Sequence, residues 1–271
     1  MSNKYPKISI ITPSYNQVEF LERTIKSVLD QGYPNLEYII IDGGSTDGSV
    51  DIIRNYADRL AYWVSEPDQG QTNAINKGFE IATGEWVAWQ NSDDIYYPGC
   101  FAALAAASER YPEADLIIGD INLIDRYDKV LRDIRYVRPS YEAMLAEGMV
   151  LTNQAAFWRR RVHAKVGLLS ESLHFAFDYE WFLRLTMGHK GAHVNEIWGG
   201  YRLHDATKTA NQQQRFLDEN RSILRSHPIV PGWKRPLYKL RRMALMLVDG
   251  SWGYVFRGLY LRSVGRDGVG D

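Results

Sequence analysis

The densest group of potential ligands in this 271-residue sequence is the run Asn91-Ser92-Asp93-Asp94, which directly follows an apolar segment ending at Trp89. Two adjacent carboxylates repel each other, so they require solvent, a cation or a hydrogen-bond network. Carboxylate and amide oxygens are ligands that Mg²⁺ and Mn²⁺ accept in proteins. The run therefore predicts a divalent-cation site, while an Asx-rich turn before the next helix accounts for the same residues.

Alternating strands and helices must position this run. Short apolar segments rich in β-branched residues predict buried strands at 8–12, 36–42, 61–66 and 85–91. Apolar residues at helical spacing predict helices at 20–29, 50–60, 70–83 and 100–112. Less regular strands are predicted at 115–125, 130–138 and 192–204, and helices at 140–147, 175–188 and 212–227. The alternation indicates an α/β, Rossmann-like fold with a mostly parallel sheet covered by helices on both faces.

Polar loops follow three of the predicted strands, at 12–16, 41–49 and 91–94. Because the carboxyl ends of parallel strands meet at one edge of a sheet, we expect these loops to form one ligand site. Asp42 could there accept hydrogen bonds from a base or ribose, and Thr12, Pro13 and Tyr15 could form a wall for the base. The phosphate loops of dehydrogenases and P-loop NTPases are missing, so a bound diphosphate would need a cation as its partner.

Composition sets further limits. The net charge of -1 provides no general attraction to nucleic acid. The single cysteine, Cys100, excludes an intrachain disulfide and fits a reducing compartment. The N-terminal apolar run is too short for a signal peptide, and no run of about 18 apolar residues is present. We therefore expect a cytoplasmic protein without a membrane span.

Two stretches, "ISIITPSYNQVEF" and its continuation to residue 53, and "DQGQTNAINKGFEIATGEWVAWQNSDD", resemble the catalytic domain of family 2 glycosyltransferases, which have the GT-A fold. The resemblance is specific over residues 7–100 and resumes around 152–205. It implies inverting transfer, of hexosyltransferase type, from a nucleotide-diphosphate sugar, with a UDP-sugar as the expected donor and Mn²⁺ or Mg²⁺ as the cofactor. The implied acceptor is a glycan or a lipid-linked hydroxyl in cell-surface polysaccharide or glycolipid assembly.

The resemblance also implies roles at the donor end. Asp93 matches the metal-binding aspartate of the family's Asp-x-Asp motif, and Asp94 the acidic residue that often follows it, so both are expected metal ligands. Asn91 stands where the family commonly has the first aspartate, which puts metal affinity in question. Asn91 and Ser92, together with Asn76, are expected to contact the nucleotide.

His204, in "YRLH", matches a family position that closes over the donor site, and it is a further expected metal ligand. A structural role is the ordinary alternative for a lone histidine.

An inverting transfer needs a base that takes the proton of the acceptor hydroxyl. In "AFDYEWFLRL", Asp178 matches the family's base, although Phe177 replaces the glutamate that usually precedes it. A carboxylate favoured by the helix macrodipole is the structural alternative. Glu180 is the reserve base, and we expect it to line the sugar or acceptor pocket with Asn153 and Gln154. For these two amides, a buried structural role explains the residues almost as well.

The predicted catalytic domain covers residues 1–225, with a nucleotide-sugar-binding half at 1–100 and an acceptor-binding half at 101–225. A basic amphipathic extension follows at 226–271. Residues 233–271 contain eight Lys or Arg and three Asp, a net charge of +5. Apolar residues recur there at helical spacing: Leu237, Leu240, Ala244, Leu247, Val248, Trp252, Val255, Phe256 and Leu259. This pattern suits a peripheral contact with the inner face of an anionic membrane, and equally packing on the catalytic domain or on a second copy in a homodimer.

Two other functions fit the same residues. A nucleotidyltransferase also combines a Rossmann-like sheet with metal-binding carboxylates, but it would be expected to carry a basic Gly-rich loop where this chain has "TPSYNQVEF". A non-catalytic sugar-binding or assembly subunit would explain Asn91 and Phe177 as signs of lost activity.

Overall fold

The computed structural model describes residues 5–204 and 213–263. Within these ranges one nine-stranded sheet has the order β3-β2-β1-β4-β8-β6-β9-β5, and β7 pairs with β6 beside this path. The strands are β1 Ile8–Ser14, β2 Leu36–Asp42, β3 Tyr62–Ser65, β4 Trp86–Trp89, β5 Ile95–Tyr96, β6 Leu116–Ile124, β7 Val130–Ile134, β8 Ala156–Arg159 and β9 Gly191–Arg202.

The helices of the described ranges connect these strands and form the C-terminal region. They are α1 Leu21–Leu29, α2 Ser49–Asn55, α3 Gln71–Ile81, α4 Cys100–Arg110, α5 Tyr141–Glu147, α6 His163–Val166, α7 Phe177–Gly188, α8 Gln213–Arg225, α9 Arg235–Val248 and α10 Trp252–Ser263. None of the helices in the described residues is long and apolar enough to cross a membrane.

The first half of the sheet follows the prediction. Strands β3, β2, β1 and β4 are parallel neighbours, and every residue of β1 and β4 is buried. Continuous apolar runs are expected for strands that are covered on both faces. Helix α3 lies so close to β1 that a Cβ atom at Gly78 would overlap the Ile11 side chain. The alternation predicted over the first 112 residues is confirmed.

The second half of the sheet differs from a simple parallel continuation. Strand β8 lies antiparallel between β4 and β6, while β9 runs parallel to β6 and antiparallel to β5. The sequence analysis predicted neither β5 nor β8. Both are too short, at two and four residues, for a period to be recognised. They are held by long-range pairing, which propensity does not encode.

One large core extends from Ile8 in β1 to Ile223 in α8. A separate small cluster joins Val137, Met246 and Val255. Helix α9 is further tied to α5 by an ion pair between Arg242 and Glu147, with 3.1 Å between nitrogen and oxygen. The C-terminal helices α9 and α10 thus pack against the α5 side of the fold while helix α8 belongs to the main core.

Candidate active site

A cavity of about 940 Å³ opens at the carboxyl ends of β1, β2 and β4. One part of its wall comes from the loops after these strands and from the start of α3: Pro13, Ser14, Tyr15, Gln17, Gly43, Pro67, Asp68, Gly70, Gln71, Ala74, Trp89, Asn91, Ser92 and Asp93. The other part comes from the second half of the chain: Gly148, Met149, Thr152, Asn153, Gln154, His174, Phe175, Phe177, Asp178, Tyr179, Tyr201, Phe216, Asn220 and Leu224. The three polar loops meet at one edge of the sheet, as expected.

The loops after β1 and β2 hold each other in place. The backbone N–H of Val18 donates to the Asp47 carboxylate at 2.9 Å, and the N–H of Asn16 donates to the Ser45 hydroxyl at 2.8 Å. Asn16 adopts a left-handed backbone with φ 52° and accepts the N–H of Thr46 on its side-chain oxygen. These two hydrogen-bonded loops place Tyr15, which is 62% exposed, at the cavity wall.

Asp93 faces the cavity and pairs with His204 across the strand ends. The Asp93 Oδ2 and His204 Nε2 atoms are 3.0 Å apart. The His204 ring also packs on Phe20, with 4.6 Å between the ring centroids. A carboxylate oxygen and an imidazole nitrogen are therefore held side by side near the end of β4.

Asp94, the neighbouring carboxylate, points into the protein and is fully buried. Its oxygens accept hydrogen bonds from the Arg202 backbone N–H at 2.9 Å, the Asn91 amide at 3.0 Å and the Gln154 amide at 2.8 Å. Burial, together with the charge of Asp93, raises the pKa of Asp94, and the three donors oppose this shift. Asp94 does not line the cavity, so the expectation that it binds a metal does not fit this geometry.

Asp178 lies at the start of α7 and lines the cavity. Its carboxylate accepts the N–H of Tyr179 at 2.6 Å, and no Lys or Arg within the described residues forms an ion pair with it. Burial raises the pKa of Asp178 to about 6, with a smaller contribution from the negative charge of Glu219, while backbone hydrogen bonds lower it. A carboxylate with this pKa is ionised at neutral pH and is more basic than an ordinary aspartate.

Glu219, on α8, fixes the segment that leads into α7. Its carboxylate accepts the backbone N–H groups of His174, Phe175 and Ala176 at 3.0, 2.8 and 2.8 Å. These are orphan donors just before a helix, which a carboxylate satisfies well. The sequence analysis placed a helix here but assigned no role to Glu219, because the residue lies about 40 positions from its partners.

Besides Asp94 and His204, four of the predicted site residues do not line the cavity: Thr12, Asp42, Asn76 and Glu180. Thr12 is buried with its hydroxyl 3.0 Å from that of Tyr38. The Asp42 carboxylate accepts hydrogen bonds from the backbone N–H groups that follow it and from two hydroxyls, those of Ser45 and Ser65.

The other two hold local structure. Asn76 forms hydrogen bonds with both backbone groups of Leu169, and Glu180 forms an ion pair with Arg184 on the next turn of α7. The polar atoms of these four residues are occupied by protein partners, so the geometry favours positioning roles. Their predicted contacts with ligands remain predictions.

The remaining predicted residues line the cavity. Asn91 links Gln71 to Asp94 through its amide, which gives it a structural task besides any contact with a ligand. Asn153 and Gln154 are buried in a short 3-10 turn, and Gln154 leaves its amide oxygen without a hydrogen-bond partner among the described residues. Close packing fixes this turn, because a Cβ atom at Gly199 of β9 would overlap the Gln154 carbonyl.

The sequence analysis did not predict two groups of cavity-lining residues, Asp68 and one face of α8. Asp68 accepts the N–H of Gly70 at 2.7 Å, and a Cβ atom at Gly43 would lie 2.7 Å from its carboxylate. Phe216, Asn220 and Leu224 form one face of α8 at spacings of four residues. This spacing was visible in the sequence, but nothing local indicated that the face would close a cavity.

The charge of the cavity wall suits a cation. Among the described residues, the lining includes the carboxylates of Asp68, Asp93 and Asp178 and contains no Lys or Arg. A diphosphate would be repelled by such a wall unless a divalent ion neutralised it. Asp93 and His204 could supply one oxygen and one nitrogen ligand, and phosphate oxygens commonly complete such a site. The described residues contain no cluster of three or more acidic, His or Cys ligands, so a cation here would share its coordination with the substrate.

The chain thus combines a mixed α/β sheet with a carboxylate-lined cavity at its strand ends. The sequence profile of Glycosyl transferase family 2 matches residues 9–161, and the chain belongs to this family of glycosyltransferases. An uncharacterized glycosyltransferase of Mycobacterium tuberculosis is 34% identical over 185 residues, which cover 67% of this chain and 70% of that protein. The putative teichuronic acid biosynthesis glycosyltransferase TuaG of Bacillus subtilis is 44% identical over 97 residues, 35% of this chain and 38% of the relative.

Solved structures show the same fold at low sequence identity. Residues 1–349 of TarS from S. aureus, in complex with UDP-GlcNAc, superpose with a TM-score of 0.68 at 15% identity, covering 86% of this chain and 70% of that one. The mannosyltransferase PcManGT from Pyrobaculum calidifontis, in complex with GDP-Man and Mn²⁺, has a TM-score of 0.58 at 20% identity and covers 97% and 76%. The GT-A fold expected from the sequence is confirmed, and the nucleotidyltransferase alternative is set aside.

The raised pKa of Asp178 predicts a specific dependence of stability on pH. The folded-state pKa of about 6 lies above the ordinary value of 3.8, so ionisation of Asp178 costs folding free energy. This cost is absent below pH 4, grows as the pH rises towards 6 and is complete above it. Asp178→Asn removes the ionisation and should be at least as stable as the original chain at pH 7.5, with the advantage vanishing near pH 4. Chemical denaturation at both pH values measures this, with the exposed Asp58→Asn as a control that should show no such trend. An advantage that grows on acidification would contradict the prediction.

Glu219 generates a second prediction. Glu219→Ala leaves three backbone N–H groups without their partner and should destabilise the chain by roughly 1–3 kcal/mol. Glu219→Gln keeps one acceptor but removes the negative charge near Asp178, so the acidic limb of the kcat/KM profile should move to lower pH. Asp218→Asn removes the same charge from an exposed neighbour on α8 and serves as the control. An unshifted profile in Glu219→Gln would show that Glu219 does not act on Asp178.

Proposed function

We propose that this family 2 glycosyltransferase transfers a sugar from a nucleotide-diphosphate sugar to an acceptor hydroxyl with inversion, and that Asp178 is the general base. The observation that carries the proposal is a cavity carboxylate with a pKa raised to about 6 and no ion-pair partner among the described residues. A base is most effective when its pKa lies near the operating pH and the group is free to take a proton. Asp178 meets both conditions, and helix α7 together with Glu219 keeps it in place.

The donor is proposed to bind where the loops after β1, β2 and β4 meet. Tyr15 and Pro13 would form the wall for the base, and Asn91 and Ser92 would contact the nucleotide. TarS in complex with UDP-GlcNAc and PcManGT in complex with GDP-Man support a nucleotide-sugar donor on this fold. We propose a UDP-sugar for this chain, and thermal stabilisation by a panel of UDP- and GDP-sugars tests that choice.

Asp93 and His204 are proposed to hold a divalent cation, Mn²⁺ or Mg²⁺. When bound, this cation would neutralise the diphosphate and stabilise it as a leaving group. The absence of Lys and Arg from the described cavity wall supports the assignment, since no other positive charge there offsets the phosphates. The Mn²⁺ in the PcManGT complex is consistent with it.

The acceptor is proposed to enter beside α7 and α8. There the wall combines amides, which can hydrogen-bond hydroxyl groups, with aromatic and apolar side chains: Asn153, Gln154, Asn220, Phe175, Tyr179 and Phe216. The Asn220 amide oxygen is buried without a hydrogen-bond partner among the described residues, so it is available to a ligand.

The biological role is proposed to be cell-surface polysaccharide assembly. The similar protein TuaG, a putative teichuronic acid biosynthesis glycosyltransferase, supports this role. The buried thiol of Cys100, the single cysteine, fits a cytoplasmic location.

Substitution of Asp93 tests the cation site. Asp93→Ala should abolish turnover and remove most of the metal dependence of nucleotide binding, because only His204 would remain as a protein ligand. Calorimetric titration of UDP with and without Mn²⁺ measures this. Asp68→Asn changes another cavity carboxylate and should retain the metal dependence. If Asp93→Ala binds UDP with the original response to Mn²⁺, Asp93 is not the ligand.

Substitution of Asp178 tests the base. Asp178→Asn is nearly isosteric but cannot take the proton, so turnover should fall roughly a hundred-fold or more while the donor still binds. The original chain should show an acidic limb near pH 6 in kcat/KM. Glu180→Gln is the matched control on the same helix, and its turnover should change only slightly because Glu180 pairs with Arg184 outside the cavity. Near-normal turnover in Asp178→Asn together with a large loss in Glu180→Gln would transfer the role to Glu180.

A further inference from the structure

Helix α9 has two apolar faces, and only one of them is covered. Met246 is buried and, with the partly buried Met243, Leu245 and Leu247, packs in the small cluster with Val137 and Val255. The other face is exposed, as are a tryptophan just before α9 and two aromatic residues of α10: Leu237, Leu240, Ala244, Val248, Trp233, Trp252 and Phe256. We call these residues the apolar stripe. Trp233 is 68% exposed, Leu240 60% and Val248 81%.

The apolar residues predicted for the C-terminal region divide into two groups: Leu247 and Val255 pack in the small cluster, whereas the side chains of the stripe are exposed. Trp233, Leu237, Leu240, Ala244 and Val248 follow one another at intervals of three or four residues, so they form one continuous strip along the helix. On α10, Trp252 and Phe256 are also exposed and form a stacked pair with 6.4 Å between ring centroids. Contiguous exposed apolar surface of this kind marks a binding surface.

Positive charge surrounds the stripe. Residues 226–248 contain Lys234, Arg235, Lys239, Arg241 and Arg242 and no Asp or Glu. Arg242 is paired with Glu147, whereas the other four form no ion pair among the described residues. Two copies that met through this face would bring these charges together, so the charge pattern disfavours self-association. An apolar strip with two tryptophans and an uncompensated basic rim is complementary to an anionic lipid surface.

The stripe is also linked to the cavity. Helix α9 packs on α5, and the residues that directly follow α5, Gly148 and Met149, line the cavity. The Tyr179 hydroxyl of α7 donates to the Met144 carbonyl of α5 at 3.0 Å. Helix α5 thus contacts both the helix that carries the stripe and the helix that carries Asp178.

From these observations we infer that the apolar stripe docks the enzyme on an anionic membrane surface. This docking does not rest on the proposed function. Insertion of Trp233, Leu237 and Leu240 among the acyl chains would remove their exposed area from water, and the four unpaired cations would approach the headgroups.

Co-sedimentation of the full chain with vesicles tests the inference. Binding to phosphatidylcholine vesicles that contain phosphatidylglycerol should exceed binding to phosphatidylcholine alone by roughly tenfold or more, and high salt should remove the difference. Lys234→Glu/Lys239→Glu/Arg241→Glu should abolish the binding by charge, and Trp233→Ser/Leu237→Ser/Leu240→Ser should abolish it by loss of apolar contact. The control Lys26→Glu/Arg54→Glu/Lys129→Glu makes the same change of charge at other exposed positions and should bind as before.

UDP binding in the presence of Mn²⁺, measured without lipid, separates the two proposals and shows that each variant is folded. Vesicle binding lost in both stripe variants with UDP binding retained supports the docking surface. An intact chain that ignores anionic vesicles while it binds UDP overturns it, and so does a chain that sediments as a dimer until the stripe is changed to serine. Vesicle binding by a chain that binds no nucleotide of the UDP- and GDP-sugar panel would leave the docking surface standing and refute the proposed function.

Discussion

Hydrogen bonds to one buried carboxylate, that of Asp94, join the two halves of the cavity wall. Asp94 accepts hydrogen bonds from β9, from the 3-10 turn that precedes β8 and from its own loop after β4, through Arg202, Gln154 and Asn91. These elements are separated by up to 108 residues in the chain. A fully buried carboxylate is tolerated only when its oxygens are satisfied, so the three partners must be in place together. The same contacts that compensate the burial of Asp94 bring the two halves of the cavity together.

Burial gives the carboxylates of the site different properties. Asp94 is inside and hydrogen-bonded, Asp93 faces the cavity beside His204, and Asp178 is held at a helix start where desolvation raises its pKa. Three carboxylates with the same chemistry thus differ in exposure and in hydrogen-bond partners because their surroundings differ. In the part of the chain that the structure describes, the cavity wall has no Lys or Arg to offset these carboxylates.

Contacts between residues that are distant in the chain hold the second half of the fold together around the cavity. Glu219 of α8 fixes the segment that carries Asp178, and α5 connects the cavity with the C-terminal helices. Glycosyl transfer needs both substrates in one orientation, which a rigid frame of this kind provides. The C-terminal helices therefore pack against a helix that adjoins the cavity and are not a detached appendage.

Local patterns predicted the parallel half of the sheet and its polar loops, and the family resemblance indicated Asp93 and Asp178, which both line the cavity. These features are readable because a strand or helix shows its period over a few residues and a motif is read from adjacent positions. The folded chain, in contrast, sets Asp93 outward and Asp94 inward, since neighbouring side chains point in different directions and their surroundings come from distant elements. It also decided that Glu180 is bound to Arg184, that Asp42 is occupied by hydroxyls and backbone N–H groups, and that α8 closes the cavity. The physical reason is the same in each case: the fate of a polar side chain is set by partners far away in the chain, which no local pattern specifies.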